Sequence, residues 1–396
     1  MSARALMIPA DIRFPLERAN GVQIVKTAAA LARARVPTTL LVRHSDPRST
    51  EEILKLYAVA PEPPLEVRRV HVLHRRGSYA LPRVWFLLRA LTACQQALGS
   101  GAAVLTRDLQ LADALLTFGP GRVLYEAHAV ESLMYEERGA LYGTPERPKA
   151  SKAERIAGRE ARVWRRAAAI VTTTAGIRDT FAELYGPRDA VRVIPNGCDF
   201  PASRRFPGLA TTEPPRVLYA GQLYPWKGVD VLVEAMADVP RAQLVLLGGL
   251  EGEPDLRRVR ALVQARGLDS RTEMPGTVSQ ARVQEELQRA SVVAVPFLRS
   301  TMTERHTSPL KAFEAMAAGR PIVASDLPSS REILRDGETA LLARPGDATA
   351  LAAALRRLLL DRAFAQRLAR AAFEQAEGYS WDARARRLKA LVEEVA

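Results

Sequence analysis

The sequence predicts an α/β chain of two parallel-sheet domains, and three observations carry that prediction. Short apolar runs, such as Gln243 to Leu247 and the β-branched-rich Ser291 to Phe297, alternate with helical stretches along the chain. A segment from Pro201 to Pro215, rich in Pro, Arg and Thr and without apolar periodicity, separates two such series and reads as a linker. The 396 residues, 47% of them hydrophobic, are enough for two cores.

The first series opens with a strand at Ala3 to Ile8, a polar loop over Asp11 to Asn20, then Gly21 and a helix from Val22 to Ala34. Glycine at such a strand-to-helix turn is either a plain helix start or a place where backbone meets a ligand. Strands follow at Thr38 to Arg43, Val104 to Thr106, Arg122 to Glu126 and Ala169 to Thr173. Val191 to Ile194 is closed by the Pro195-Asn196-Gly197 turn. His128, just past a strand end, is either structural or at the functional edge of a parallel sheet. Val84 to Leu98 and Glu146 to Arg166 read as helices. The second series runs from a strand at Arg216 to Ala220, through Gly221, Gln222 and Lys227-Gly228, into a helix over Val229 to Ala237. Lys227, at a helix mouth beside glycine, suits a phosphate charge. A strand near Glu273, a turn at Gly276, Thr277 and Val278, and a helix over Ala281 to Ala290 lead to the run Ser291 to Phe297.

The most informative stretch begins there. A polar loop ends at Ser308-Pro309, where Ser suits an N-cap and Pro a first helical residue. The helix from Pro309 closes at Gly319, and Pro321 opens the next strand. Free N–H groups at this helix start, outside the carboxyl end of a strand, make an anion site. Glu314, one turn in, is either a carboxylate for a ribose or sugar hydroxyl or an ordinary solvated charge. Helices near Ser329 to Leu334, over residues 347–376 and from Ser380 onward complete the chain, with a strand at Thr339 to Leu342.

Composition removes several function classes. The first strand-to-helix turn lacks the G-x-G-x-x-G fingerprint, which counts against a nicotinamide oxidoreductase. Two cysteines, Cys94 and Cys198, do not make a disulfide framework and point to the cytoplasm. The N-terminus reads as a strand rather than a signal peptide, and no apolar run reaches membrane-span length. The net charge of +13 is uneven: residues 1–205 hold 31 Lys and Arg against 20 Asp and Glu, residues 206–396 hold 26 against 24. No nucleic-acid module accompanies that charge. The basic, aromatic stretch Arg68, Arg69, His71, His74, Arg75, Arg76, Tyr79, Arg83, Trp85, Phe86 and Arg89 reads either as a contact with an anionic membrane surface or as a solvated basic rim. No Asp-x-Asp or metal-ligand cluster is present, so neither metal nor cofactor is expected.

In order along the chain, Ile194-Pro-Asn196-Gly197 with Asp199, Tyr219-Ala-Gly221 with Lys227-Gly228, Gly276-Thr-Val278, and Ser308-Pro-Leu-Lys-Ala-Phe-Glu314-Ala-Met-Ala-Ala-Gly-Arg-Pro321 resemble the GT-B glycosyltransferases. Within these they resemble the large retaining family often called family four. The resemblance implies two Rossmann-like domains facing across a cleft. Residues 1–204 would be the acceptor domain, joined by a returning helix over 380–396, and residues 205–379 the nucleotide-sugar domain. It implies that Lys227 binds the donor diphosphate, that Glu314 holds the ribose, and that backbone at Ser308, Pro309 and Leu310 meets the phosphates. Gly276, Thr277 and Val278 would line the base, Gly21 would approach the diphosphate and His128 would face the transferred sugar. Asn196, Gly221 and Gln222 complete the donor set.

Two positions depart from the pattern: Gln222 stands where an arginine is common, and His306 where a first glutamate is common. The implied catalytic set is therefore His128, Lys227, His306 and Glu314. The implied function is sugar transfer from a nucleotide-diphosphate sugar to a saccharide or lipid-linked acceptor in polysaccharide or glycolipid synthesis, in the cytoplasm or on the inner membrane face. A GT-B nucleotide-sugar epimerase and a non-catalytic nucleotide-sugar-binding protein are the alternatives.

Overall fold

A computed structural model describes residues 4–15, 19–60, 65–73, 80–117, 121–144 and 147–395. The chain forms two compact units. The first holds residues 1–136, 148–196 and 381–396, and the second residues 137–147 and 197–380. Residues 197–204 and the short stretch 137–147 thus pack with the second unit, which the sequence boundary at 204 did not separate out.

The first unit carries seven strands: β1 Leu6–Phe14, β2 Thr38–His44, β3 Leu65–Val70, β4 Ala103–Thr106, β5 Val123–Ala127, β6 Ala169–Thr172 and β7 Val191–Val193. They lie in the order β3-β2-β1-β4-β5-β6-β7, every pair parallel. β1 runs to Phe14, through residues that read as a polar loop. Asp11 can sit in a strand because it pairs with Arg43 and accepts from Arg83 Nη1 at 2.9 Å.

The second unit carries six: β8 Arg216–Ala220, β9 Gln243–Leu247, β10 Thr272–Gly276, β11 Val292–Val295, β12 Ile322–Ser325 and β13 Leu341–Ala343. Their order is β10-β9-β8-β11-β12-β13, again all parallel. Both faces of this sheet are covered, which is why its strands read as unbroken apolar runs. Val217, Tyr219, Leu244, Leu246, Val292 and Ala294 pack into one core layer. The alternate residues Leu218, Val245, Leu247, Val293 and Val295 pack into the other. The stretch read as a linker is tied to this unit: Phe206 packs edge-on against Phe373, and Arg320 donates to the Gly208 carbonyl.

In each sheet the order reverses once, between β1 and β4 and between β8 and β11. Loops leaving the carboxyl ends of strands diverge at such a switch point and leave a crevice for a ligand.

The C-terminal helix, Trp381–Glu394, belongs to the first unit and lies on its first helix, Ala19–Arg33. Its anchor is Arg384, 2% exposed, which ion-pairs with Glu126 on β5. The Arg384 guanidinium also donates to the Ile194 and Pro195 carbonyls, both at 2.6 Å, and so grips the turn after β7. Burial works against the Glu126 charge, but Arg384 and His128 hold its carboxyl well below the usual carboxylate range. The stability from this depressed carboxyl is complete above its ordinary value of 4.5 and is lost as pH falls through the folded-state value.

Removing one partner of a buried pair strands the other charge. Arg384→Ala is expected to destabilise the protein by about 3–5 kcal/mol. Urea unfolding at pH 7 measures it; a loss below about 1 kcal/mol, the scale of an exposed pair, shows that Arg384 does not anchor the helix.

Candidate active site

In the second unit, three strand ends are joined backbone to backbone. Gly221 N–H donates to the Leu247 carbonyl at 2.7 Å, and Gly248 N–H to the Gly276 carbonyl at 2.8 Å. Gly248 has φ +132°, and a Cβ there would collide with the Gly221 carbonyl. Thr277 Oγ1 donates to the Gly249 carbonyl at 3.1 Å, and Val278 packs on the core beneath. Gly276, Thr277 and Val278 therefore sit where β9 and β10 end, beside Gly221 and Gln222 at the end of β8.

At the switch point the loops after β8 and β11 meet. Leu298 N–H donates to the Trp226 carbonyl at 3.0 Å. Gly228 closes the turn Pro225–Lys227 at φ +69°, where a Cβ would strike the Pro296 carbonyl. Lys227 is thereby fixed over aromatic rings, its Nζ 3.6 Å from the Trp226 ring centroid and 4.7 Å from that of Phe297.

The loop after β11 is more ordered than the sequence suggests. Met302–His306 forms a π-helical turn, a form that recurs at functional sites. His306 is 2% exposed, not on an open loop, and neither ring nitrogen has a hydrogen-bond partner among the described residues. The helix that follows runs Leu310–Ala317, with Pro309 as N-cap. Ser308 thus lies outside it, and the N-cap Pro309 makes no side-chain cap hydrogen bond. An uncapped helix start keeps its donors and positive dipole end for an anion. Glu314 lies half-buried on this helix, close enough to raise the Cys198 thiol, after burial and Asp199.

The electrostatics centre on two lysines. Burial and the neighbouring Lys311 charge pull the Lys227 ammonium well below its usual value, and no carboxylate offsets them. Burial brings Lys311 down to about 8, opposed by Glu314. Burial and Arg305 lower His306 to about 4, so it is neutral at physiological pH. Gln222 Oε1 and Trp226 Nε1, on the loop after β8, also lack partners among the described residues. Each orphaned buried polar atom costs about 1–3 kcal/mol, and a polar ligand would relieve that cost.

Gly21, His128 and Asn196 belong to the first unit. Gly21 is buried in the first turns of the helix Ala19–Arg33 and has no left-handed backbone. Gln23 on that helix donates to Glu126 Oε1 at 2.8 Å, and His128 Nε2 lies 2.7 Å from the same oxygen. Burial and Arg107 outweigh Glu126 and bring His128 down to about 4. Its Nε2 therefore carries the proton towards Glu126. Asn196 is buried beside the turn that Arg384 grips.

The basic stretch is largely paired within its own unit. Arg68 pairs with Glu66 at 2.7 Å, Arg69 donates to the Asp46 and Arg48 carbonyls, and Arg83 bridges Asp11 and Asp108, both at 2.9 Å. His74, Arg75, Arg76 and Tyr79 lie outside the described residues. Among the described residues, no helix is long and apolar enough to cross a membrane. The sequence reading passed over Lys311. Nothing in the local pattern set it apart from a helix-surface lysine.

Residues 20–197 match the sequence profile of the glycosyl transferase 4-like domain, and residues 202–375 that of the glycosyl transferases group 1. A D-inositol 3-phosphate glycosyltransferase of Nocardia farcinica is 33% identical over 230 residues, 54% of this chain and 49% of the relative. The chain thus spans about half the length of the curated relatives it matches. Two solved structures show the same fold over the whole chain. Sucrose-phosphate synthase from Thermosynechococcus elongatus superposes with a TM-score of 0.76 at 22% identity, covering 99% of this chain and 98% of that one. Anabaena HepE, solved in complex with UDP-glucose, gives 0.73 at 15% identity, covering 99% and 100%. With both profiles matched in order and nearly end to end, the chain belongs to the group 1, family-four type of glycosyltransferases and has the GT-B fold.

Proposed function

We propose that the protein moves a sugar from a nucleoside-diphosphate donor to a saccharide or lipid-linked acceptor, with retention at the anomeric carbon and without a divalent metal. The observation that carries this reading is the pairing, at the switch point of the second sheet, of the Lys227 ammonium with an uncapped helix start. Gly276 to Val278 line the base, Glu314 holds the ribose, and His128 and His306 face the sugar. The UDP-glucose bound by the Anabaena neighbour and the glycosyltransferase activity named for the Nocardia relative are in line with this. Retention rests on the family resemblance. A cytoplasmic enzyme of polysaccharide or glycolipid synthesis is the setting that fits.

The chemistry follows the charge. The bond from the anomeric carbon to the diphosphate oxygen breaks, and its electron pair stays on the diphosphate. The acceptor oxygen bonds to the carbon, and the acceptor proton passes to the released diphosphate or to solvent. Negative charge thus grows where Lys227 and the helix N–H groups are already aimed, so they stabilise the transition state more than the ground state. On this reading the work falls to protein cations, Lys227 first among them.

A thermal-shift panel of nucleoside diphosphates and nucleotide sugars identifies the donor, because only a ligand of the folded state raises stability by mass action. With that donor and a saccharide acceptor, turnover is expected to persist in EDTA and to give the donor's anomer, read by proton NMR. Turnover that EDTA abolishes and magnesium or manganese restores contradicts the metal-free reading. Donor hydrolysis with no transfer contradicts a transferase.

Glu314 and His306 should separate. Glu314→Ala leaves ribose hydroxyls unpaired and should weaken nucleoside diphosphate and intact donor alike, by about 1–3 kcal/mol. His306→Ala should spare the nucleoside diphosphate and lower turnover of the sugar. Equal losses for His306→Ala on the two ligands place it on the wrong part of the donor.

A further inference from the structure

The loop after β8 offers one cation, Lys227. Gln222 occupies the position next to Gly221, and its Oε1 has no hydrogen-bond partner among the described residues. A leaving diphosphate carries more than one negative charge, and Lys227 alone does not match it. The structure supplies a second ammonium at the same place from another element.

Lys311 stands in the first turn of the helix Leu310–Ala317. Its side chain reaches back to the end of β8, where Nζ lies 5.3 Å from the Tyr219 ring centroid. The ammonium packs directly on Gly221, and a Cβ at that position would collide with it. The absence of a side chain at residue 221, which has a φ of +148°, leaves room for that ammonium. Tyr219 is itself held, its hydroxyl donating to the Gln222 carbonyl at 2.5 Å. The Lys311 ammonium thus sits beside the vacant charge position, between the loop that carries Lys227 and the uncapped helix start.

We propose that Lys311 is a diphosphate-binding residue that supplies, from the helix after β11, the cation missing at Gln222, so that the departing diphosphate is held by Lys227 and Lys311 together. This rests on the nucleotide-sugar reading above and adds a residue to it.

The charged groups facing Lys311 are Lys227 on the neighbouring turn, which repels it, and Glu314 on its own helix, which favours its charge. The Tyr219 ring faces it from β8. Two half-buried ammoniums in one space repel each other until an anion arrives. With Lys311 brought down to about 8, its charge is present below that pH and is lost as pH rises through it. Diphosphate affinity should fall over the same interval, and binding near pH 8 should draw a proton from solution.

The test is calorimetric titration with inorganic pyrophosphate, which carries the diphosphate without a base, at pH 7 and pH 9. Wild type, Lys227→Ala, Lys311→Ala and Lys311→Arg are compared, with melting temperature as the check on folding. Lys311→Ala should weaken pyrophosphate roughly tenfold to a hundredfold, the range for a lost charged hydrogen bond. Lys311→Arg, which keeps its charge at pH 9, should restore binding and flatten the fall between the two pH values. If Lys311→Ala folds and binds like wild type while Lys227→Ala does not, the assignment of Lys311 is wrong and the diphosphate site stands. If Lys311→Ala is unstable, Lys311→Arg decides: a pH dependence identical to wild type overturns the assignment. If wild type does not bind pyrophosphate at millimolar concentration, the diphosphate site itself is wrong.

Discussion

A parallel sheet sends every strand to the same edge, and this constraint fixes where ligand chemistry can occur in the protein. In the second sheet β8 starts at the centre, the chain builds outward to β10, then returns to lay β11 on the other side of β8. The loops after β8 and β11 must turn in opposite directions and leave backbone N–H groups between them. Gly228 and Gly248 let the strand ends approach where any Cβ would collide with backbone. The close approach brings Lys227 onto Trp226 and Phe297 and sets the helix Leu310–Ala317 facing the same space. Charge, helix dipole and unpaired polar atoms then accumulate at one point because the topology gathers them there.

The first sheet obeys the same rule with different chemistry. Its polar centre is a carboxylate, Glu126, surrounded by Arg384, His128 and Gln23. Each partner comes from a different part of the chain: the C-terminal helix, the loop after β5 and the first helix. One buried anion therefore orders three segments, and the neutral His128 is orientated by it. Site geometry in this unit and the docking of the last helix are the same interaction.

Much of this was legible in the sequence. Strands buried on both faces announce themselves as apolar runs, and Pro, Asn and Gly punctuate their ends; β8, β9 and β11 follow directly from that. The Ser308 to Pro321 stretch carried the helix, one residue out at the N-cap. Other features were not legible for physical reasons. Asp11 looked like loop because its partners, Arg43 and Arg83, are 32 and 72 residues away. The helix Thr50–Leu56 went unread although Ser49 and Glu52 form a capping box, a signal that was present. The π-helical turn at Met302–His306 has no periodicity of its own. Lys311 looked like any helix-surface lysine, and only the fold shows that its ammonium rests on Gly221.

The central claim is that the switch point of the second sheet binds the donor diphosphate. The most direct measurement is a crystal structure of the protein with the nucleoside diphosphate that most raises its melting temperature. The account predicts phosphate oxygens within hydrogen-bond reach of Lys227 Nζ and of the first N–H groups of the helix Leu310–Ala317, with the ribose on Glu314. A nucleotide bound elsewhere, with Lys227 and that helix start untouched, contradicts it.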